Sequence, residues 1–539
     1  MKKITFSLAL ALMGVFSFAQ TKISAEELAK QNWFHSNFAV DNIYGVSSDA
    51  AYRYAEQKGL KPSPVIVAVL DSGMDIYHED LKNVLWINKD EIPGNGIDDD
   101  KNGYIDDVYG WNFIGGADGQ NLNADNLEIT RLVRLGMKKF DTPDDFTNKT
   151  NREKFPQEYE EFKKMKIEVE QNLAQAKMAI ANYDMQISQT MNMFEEFAQS
   201  YGADKKISVE GLNAWQPTSQ PANMLKTSLL MAANSEDADE IFGKTPNDMI
   251  SELKSRLEGD RVLNYYKSQL NHYDVDFDPR HIVGDNYADK TEKYYGNNDV
   301  KGPDSLHGTH VAGIIGAENN NDIGMNGVAR NVQLMSVRTV PDGDEHDKDV
   351  ANAIRYAVDN GAKIINMSFG KEYSPDKEIV WEAIKYATDK NVLLVHAAGN
   401  DDKNIDTEAN YPTNYRDGKA WSNSYLTVGA STRYNDKIKA SFSNFGKKHV
   451  DIYAPGLEIY ATTPENTYQY LQGTSMAAPA VSGVAALVWS FYPRLTAAQL
   501  KTILIESGNV HDQLTDISYQ GKIVDALKAM KLAETYVKK

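Results

Sequence analysis

The chain has 539 residues and a formal charge of −19, with 42 % apolar residues, 25 % charged residues and no cysteine. These proportions are globular and exclude wholesale disorder, and the length suits one large domain carrying an insertion. The acid excess argues against a nucleic-acid groove or a basic membrane-binding face, and the lack of cysteine excludes disulfides, thiolate metal sites and cysteine nucleophiles.

From the N-terminus, Met1-Lys2-Lys3 is a short basic start, 4–18 is an apolar run, and Ser17-Phe18-Ala19 places small residues at a cleavage point. This predicts a signal peptide 1–19, cut after Ala19, and export to a periplasm or out of the cell. Residues 20–60 read as helical pieces around Trp33 and Phe34, a short segment standing at the place of a pro-region. Next, 65–71 (VIVAVLD) is a continuous apolar run ending in an acid, the pattern of a strand buried on both faces. Similar runs at 332–337, 363–367, 391–395 and 426–429 alternate with helical patterns such as 350–360 and 378–390. Such alternation predicts an α/β fold of three layers, a mainly parallel sheet between helices. That domain is expected over 61–120 and 301–515, with a C-terminal helix in 516–539.

The stretch 121–300 differs. It holds nine of the 17 Met, and 157–201 contains neither Gly nor Pro. Apolar residues from Phe162 to Phe194 recur at steps of three and four, giving one stripe on a helix of roughly 65–70 Å. A second helical pattern covers 246–270. An α-helical insertion is therefore expected, its Met-rich stripe serving helix packing or an adaptable binding surface. The apolar run 477–492 is interrupted by Pro479, Ser482 and Gly483 and reads as a buried helix, so no transmembrane span is expected.

Three segments carry chemistry. Val67-Ala68-Val69-Leu70-Asp71-Ser72-Gly73 ends a buried strand with an acid. His307-Gly308-Thr309-His310 opens a helix with a histidine. Gly473-Thr474-Ser475-Met476-Ala477-Ala478-Pro479 places a serine at the opening of the apolar helix. A serine hydroxyl needs a base to take its proton; a neutral imidazole can do so near pH 7, and a buried carboxylate holds that imidazole in the right tautomer. A serine at a helix N-terminus also has backbone N–H groups facing the developing oxyanion. Singly, each segment could be structural: a satisfied acid, a helix cap, a turn.

Together, in the order Asp, His, Ser, they resemble the subtilisin-like serine proteases, and Val395-His396-Ala397-Ala398-Gly399-Asn400 is a fourth match. The resemblance covers about 60–120 and 300–510. It implies Asp71 as the orienting acid, His307 as general base and acid, Ser475 as nucleophile and Asn400 as oxyanion donor. It also implies that Asn366-Met367-Ser368-Phe369-Gly370 pairs with an extended substrate, with Ser368, Phe369, Gly370 and Gly399 lining the peptide. The wide gap between the Asp and His motifs, filled by the helical stretch, departs from compact members. His310 is expected to be structural.

Two calcium sites are expected. In 95–107 (NGIDDDKNGYIDD), oxygen donors alternate at Asp98, Asp100 and Asn102, Gly103 permits a sharp turn, and Asp106 and Asp107 follow. Tyr109 stands where a closing Glu would be, so the loop reads as a structural calcium site or as a solvated acidic turn. The second site follows from the resemblance alone, through Asp80 and Asn321. The sequence thus points to an exported serine endopeptidase acting on peptides or proteins through an acyl-enzyme, with a catalytically silent binding scaffold as the alternative.

Overall fold

The computed structural model describes residues 24–233, 238–258 and 260–538; the expected signal peptide 1–19 lies outside the described residues. Within them the apolar runs become strands: β1 (Val65–Asp71), β2 (Gly110–Asn112), β3 (Val332–Arg338), β4 (Ile364–Met367), β5 (Leu393–Ala397), β6 (Tyr415–Arg416), β7 (Lys419–Ala420), β8 (Tyr425–Ser431), β9 (Ile452–Pro455), β10 (Ile459–Thr463), β11 (Thr467–Leu471), β12 (Asn509–Val510) and β13 (Lys522–Ile523). Nine of them form one sheet in the order β12-β13-β9-β8-β5-β4-β1-β3-β2, parallel except for β12 with β13. Strands β10 and β11, and β6 and β7, form two separate hairpins.

Both faces of the sheet are covered, which is why the runs are continuously apolar. Along β1 the side chains alternate by the strand's period of two. Val67 and Val69 join a core with Val311 and Ile315 of the helix Leu306–Gly316 and Ala477, Val481 and Val484 of the helix Thr474–Phe491. Ala68 and Leu70 face the opposite core, with Val350, Ile354 and Ala357 of the helix Asp347–Asp359 and Ile384 of the helix Lys377–Asp389. Each such Val or Leu contributes about 1.5–3 kcal/mol by leaving water. The expected three-layer α/β architecture is what the chain adopts. The helix Thr474–Phe491 is apolar and long enough to cross a membrane, but it is 89 % buried inside the protein and serves as the core helix.

Residues from Ser24 onward are part of this body. Trp33 and Phe34 are each 1 % exposed in the β1 core, joined by Val46, Ala51 and Ala55, and Trp33 Nε1 donates to the Glu458 carbonyl at 3.1 Å. The helix Ser48–Gln57 packs on the closing helix Ala526–Val537, which lies within the segment 516–539 where a C-terminal helix is expected.

The helical insertion forms a compact unit of its own over Val133–Asp274, narrower than the expected 121–300. The flanking segments belong to the sheet body: the Leu122 carbonyl accepts from Arg338 Nη2 at 2.6 Å, and Tyr295 enters the core of Leu70 and Phe113. Inside the unit, the helix Pro156–Phe197 starts with Pro at N1, where the missing N–H costs nothing. It ends in a π turn, Ala198–Gly202, around a cluster that includes Phe194, Phe197, Trp215, Leu225 and Leu253. The single pattern 246–270 is two helices, Pro246–Glu258 and Arg261–Tyr273; Asp260 caps the second by accepting from the amides of Val262 and Leu263.

Candidate active site

Parallel strands deliver their C-terminal ends to one edge of the sheet, and there β1 ends in Asp71 beside the segments that follow β4 and β5. The backbone carbonyl of Asp71 accepts from the amides of Thr339 and Val340 at 2.9 and 3.2 Å, which fixes the strand end. Asp71 is 2 % exposed. Oδ1 accepts from His307 Nδ1 at 2.7 Å and from the Ser72 amide at 2.8 Å, while Oδ2 is buried without a partner. Gly308 allows this contact: a Cβ there would lie 2.0 Å from the Gly73 carbonyl and 3.1 Å from Asp71 Cβ, forcing the helix opening away from the acid. Burial alone would push the His307 imidazole down; the Asp71 charge and hydrogen bond outweigh it, aided by Asp304, and hold it above its ordinary 6.5. Nδ1 is thus committed to Asp71, leaving Nε2 as the titrating atom.

Ser475 is the second residue of its helix, so its N–H belongs to the first-turn donors that have no acceptor within the helix. Its hydroxyl donates to the Ser368 carbonyl at 3.1 Å, and no hydrogen bond joins it to His307 in this structure. Ser368 Oγ donates in return to the Ser475 carbonyl at 2.9 Å. Pro479 explains why that carbonyl is free, since a proline lacks the N–H that would otherwise claim the residue four before it. The helix of Ser475 packs directly against the helix of His307.

Asn400, following β5, completes the edge. Its Oδ1 accepts from the Thr474 amide at 2.8 Å and from Thr474 Oγ1 at 3.0 Å, which leaves Nδ2 as its unengaged donor on a residue that lines the cleft. Thr474 Oγ1 also accepts from the Gly399 amide at 3.0 Å. Gly399 holds a φ of +99°, and a Cβ there would meet Asn444 Nδ2 at 2.3 Å. Ser368, Phe369, Gly370, Gly399, Asn400 and Ser475 line one cavity of about 290 Å³. His396 is buried, its Nε2 2.8 Å from the Phe369 carbonyl, and burial pushes it down to about 4. His310 is likewise pushed down to about 4 by burial, its Nε2 facing the carbonyls of Ile459 and Gln469 at 3.1 and 3.0 Å. Both are neutral connectors. Sequence reasoning passed over Thr474, whose role is visible only through its bonds to Asn400 and Gly399.

The acidic loop divides into two groups. Asp100, Asn102 and Asp107 converge. Glu91, Asp100 and Asp107 offer oxygens within 4.8 Å of one another, and Asn102 Nδ2 reaches Asp100 at 3.1 Å and Asp107 at 3.0 Å. Asn88 Nδ2 bridges the same two acids at 3.0 and 2.8 Å. Burial, with Asp100 adding like charge, pushes the Asp107 carboxyl up to about 6. Asp98 and Asp106 instead bind backbone: Asp98 accepts from the amides of Asn102 and Gly103, Asp106 from those of Gly94, Asn95 and Gly96. Glu91 escaped the sequence reading because no ligand spacing ties it to 98–107. Three acids this close together suit a hard cation. The second expected site differs: Asp80 is a lone acid whose carboxylate takes donors from Asn321 Nδ2 at 2.6 Å, the Met325 amide at 3.1 Å and Tyr468 OH at 3.3 Å. The two residues expected at this site are thus in contact, with a single carboxylate between them.

Comparison with known proteins adds the family. A family model described as "Subtilase family" matches residues 63–521. A thermophilic serine proteinase of Bacillus sp. (strain AK1) is 42 % identical over 34 % of this chain and 42 % of its own length. Subtilisin DY of Bacillus licheniformis is 37 % identical over 40 % of this chain and 74 % of its own. Thermitase of Thermoactinomyces vulgaris is 40 % identical over 39 % of this chain and 72 % of its own.

Proposed function

Because the chain belongs to the subtilase family, we propose that it is an exported serine endopeptidase, periplasmic or secreted, with Asp71, His307 and Ser475 as its triad. The observation that carries this reading is the 2.7 Å bond from His307 to the buried Asp71 at the strand edge. That edge also holds Ser475, at a helix N-terminus, and Asn400.

Catalysis then runs as follows. An extended peptide lies along Ser368, Phe369 and Gly370 and presents its carbonyl to Ser475. The hydroxyl rotates from the Ser368 carbonyl to His307 Nε2, which takes the proton as Oγ attacks. Asp71 stabilises the imidazolium that results. The carbonyl oxygen, now negative, is met by Asn400 Nδ2 and the Ser475 amide. His307 returns its proton to the leaving amine, and a water repeats the sequence on the acyl-enzyme.

The cluster of Glu91, Asp100 and Asp107 would hold Ca²⁺ through its carboxylates. It would neutralise three acids and brace the loop that leads into β2. Hydrolysis of a peptide bond by the wild type and a loss of roughly 10⁶ in kcat on His307→Ala test the triad; a variant as active as wild type refutes it. The hydroxyl's attachment to Ser368 favours one second reading, a silent scaffold, which predicts no turnover by the wild type.

A further inference from the structure

The cavity beside Ser475 has a wall that neither the triad nor the substrate strand explains. Glu345, on the loop after β3, lines it, as does Asp401 at its exposed rim, and no lysine or arginine does. Glu345 is 2 % exposed, and its Oε1 is buried without a hydrogen-bond partner. The nearest cations are committed elsewhere. Lys371 Nζ donates to the Glu345 backbone carbonyl at 2.7 Å and pairs with Glu128 at 2.8 Å and Asp347 at 2.9 Å. Arg131 Nη2 donates to the same carbonyl at 3.2 Å and pairs with Glu128 at 2.7 Å. Both cations thus hydrogen-bond the main chain of Glu345 and leave its Oε1 without a donor, although the residue also borders a second, small pocket with Lys371 and Lys377.

A buried acceptor without a partner is costly, and perturbed acids in clefts gather at functional sites. Burial pushes this carboxyl up to about 8; Lys371 pulls the other way, while Asp344 and Asp347 add to the rise. An incoming ammonium or guanidinium would give Oε1 its donor and draw the carboxyl to its charged form, in a desolvated wall where charge pairs discriminate strongly. Asn410 adds a third acceptor to the same cavity. Its Nδ2 donates to the Ala398 carbonyl at 3.0 Å, and its Oδ1 lies 2.8 Å from where a Cβ on Gly370 would stand.

We propose that Glu345 makes the cleft select a cationic substrate side chain, lysine or arginine, close to the scissile bond. This rests on the endopeptidase reading. The test compares kcat/KM for peptides carrying lysine, norleucine or glutamine at each of the four positions before the cleaved bond. At one position, lysine is expected to be cut at least tenfold faster than either neutral analogue. Glu345→Gln should bring that ratio within threefold of unity while leaving the norleucine peptide within threefold of wild type. Asp401→Asn should lower the ratio less. Fluorophosphonate labelling checks that the variant is folded, and Glu345→Ala replaces it should the amide fail to label. Equal rates for lysine and norleucine in the wild type overturn the proposal whichever variant folds. So does glutamine performing as well as lysine, or a preference that survives loss of the carboxyl. A wild type that labels with nothing and cuts nothing defeats the endopeptidase reading instead.

Discussion

Replacing Thr474 by valine, nearly its isostere, removes one hydroxyl from a fully buried position. Two hydrogen bonds go with it: the 3.0 Å bond to Asn400 Oδ1 and the 3.0 Å bond from the Gly399 amide. Each is worth about 0.5–1.5 kcal/mol net. The Thr474 amide still holds Asn400 Oδ1 at 2.8 Å, so the side chain is loosened and not released. If about 1.4 kcal/mol of its orientation is lost, kcat falls roughly tenfold. Deleting the donor outright with Asn400→Ala should cost about 10²–10³. Since the donor acts on the oxyanion and not on bound substrate, KM should stay within about twofold. Steady-state hydrolysis of one peptide by wild type, Thr474→Val, Thr474→Ser and Asn400→Ala separates these cases, with serine retaining most activity. Thr474→Val within twofold of wild type, beside a crippled Asn400→Ala, would show that Thr474 does not orient the donor.

Three further outcomes are expected. Activity should rise with pH through a midpoint above 6.5, because Asp71 holds the His307 imidazole up against its burial. A raised histidine value adds stability that is fully present below 6.5 and is lost as pH climbs through the folded value; the gap in Tm between wild type and His307→Gln should therefore shrink with rising pH. At the acidic loop, calcium at 100 times its Kd should stabilise the wild type by about 2.7 kcal/mol, and EDTA should reverse this. Asp107→Asn should lose that response; a melting curve indifferent to calcium and EDTA removes the site. Finally, Trp33→Ala should destabilise by about 3–5 kcal/mol in denaturant titration, as Trp33 sits 1 % exposed in the main core; a loss below about 1 kcal/mol would mean that the N-terminal helices merely lean on the body.

The sheet edge was legible before any coordinates because its signals are local. A run such as 65–71 is apolar throughout only if both faces are covered, and the acid that ends it marks the polar edge. The serine and histidine helices announce themselves by small residues at their openings, and Pro479 in an apolar helix has a reason once the Ser475 carbonyl is seen bound to Ser368. What escaped is set by tertiary contact. Glu345 lies in 341–349 (PDGDEHDKD), a run of acids with no motif that singles one out; its burial is seen only in the fold, where Lys371 and Arg131 hold its carbonyl. The insertion's borders fell ten or more residues from 121 and 300 because their flanks are aperiodic, held by single contacts such as Arg338 to the Leu122 carbonyl. The pattern 246–270 was read as one because its apolar spacing continues from Pro246–Glu258 into Arg261–Tyr273; the Asp260 cap marks the start of the second helix.

The hydroxyl of Ser475 is the atom on which everything turns. Intact-mass and peptide-mapping spectrometry after fluorophosphonate treatment should find one adduct, on Ser475, in the wild type. It should find none in Ser475→Ala and a strongly slowed reaction in His307→Ala. An adduct on another residue, or a wild type that stays unmodified while properly folded, would contradict a serine nucleophile driven by the Asp71–His307 pair.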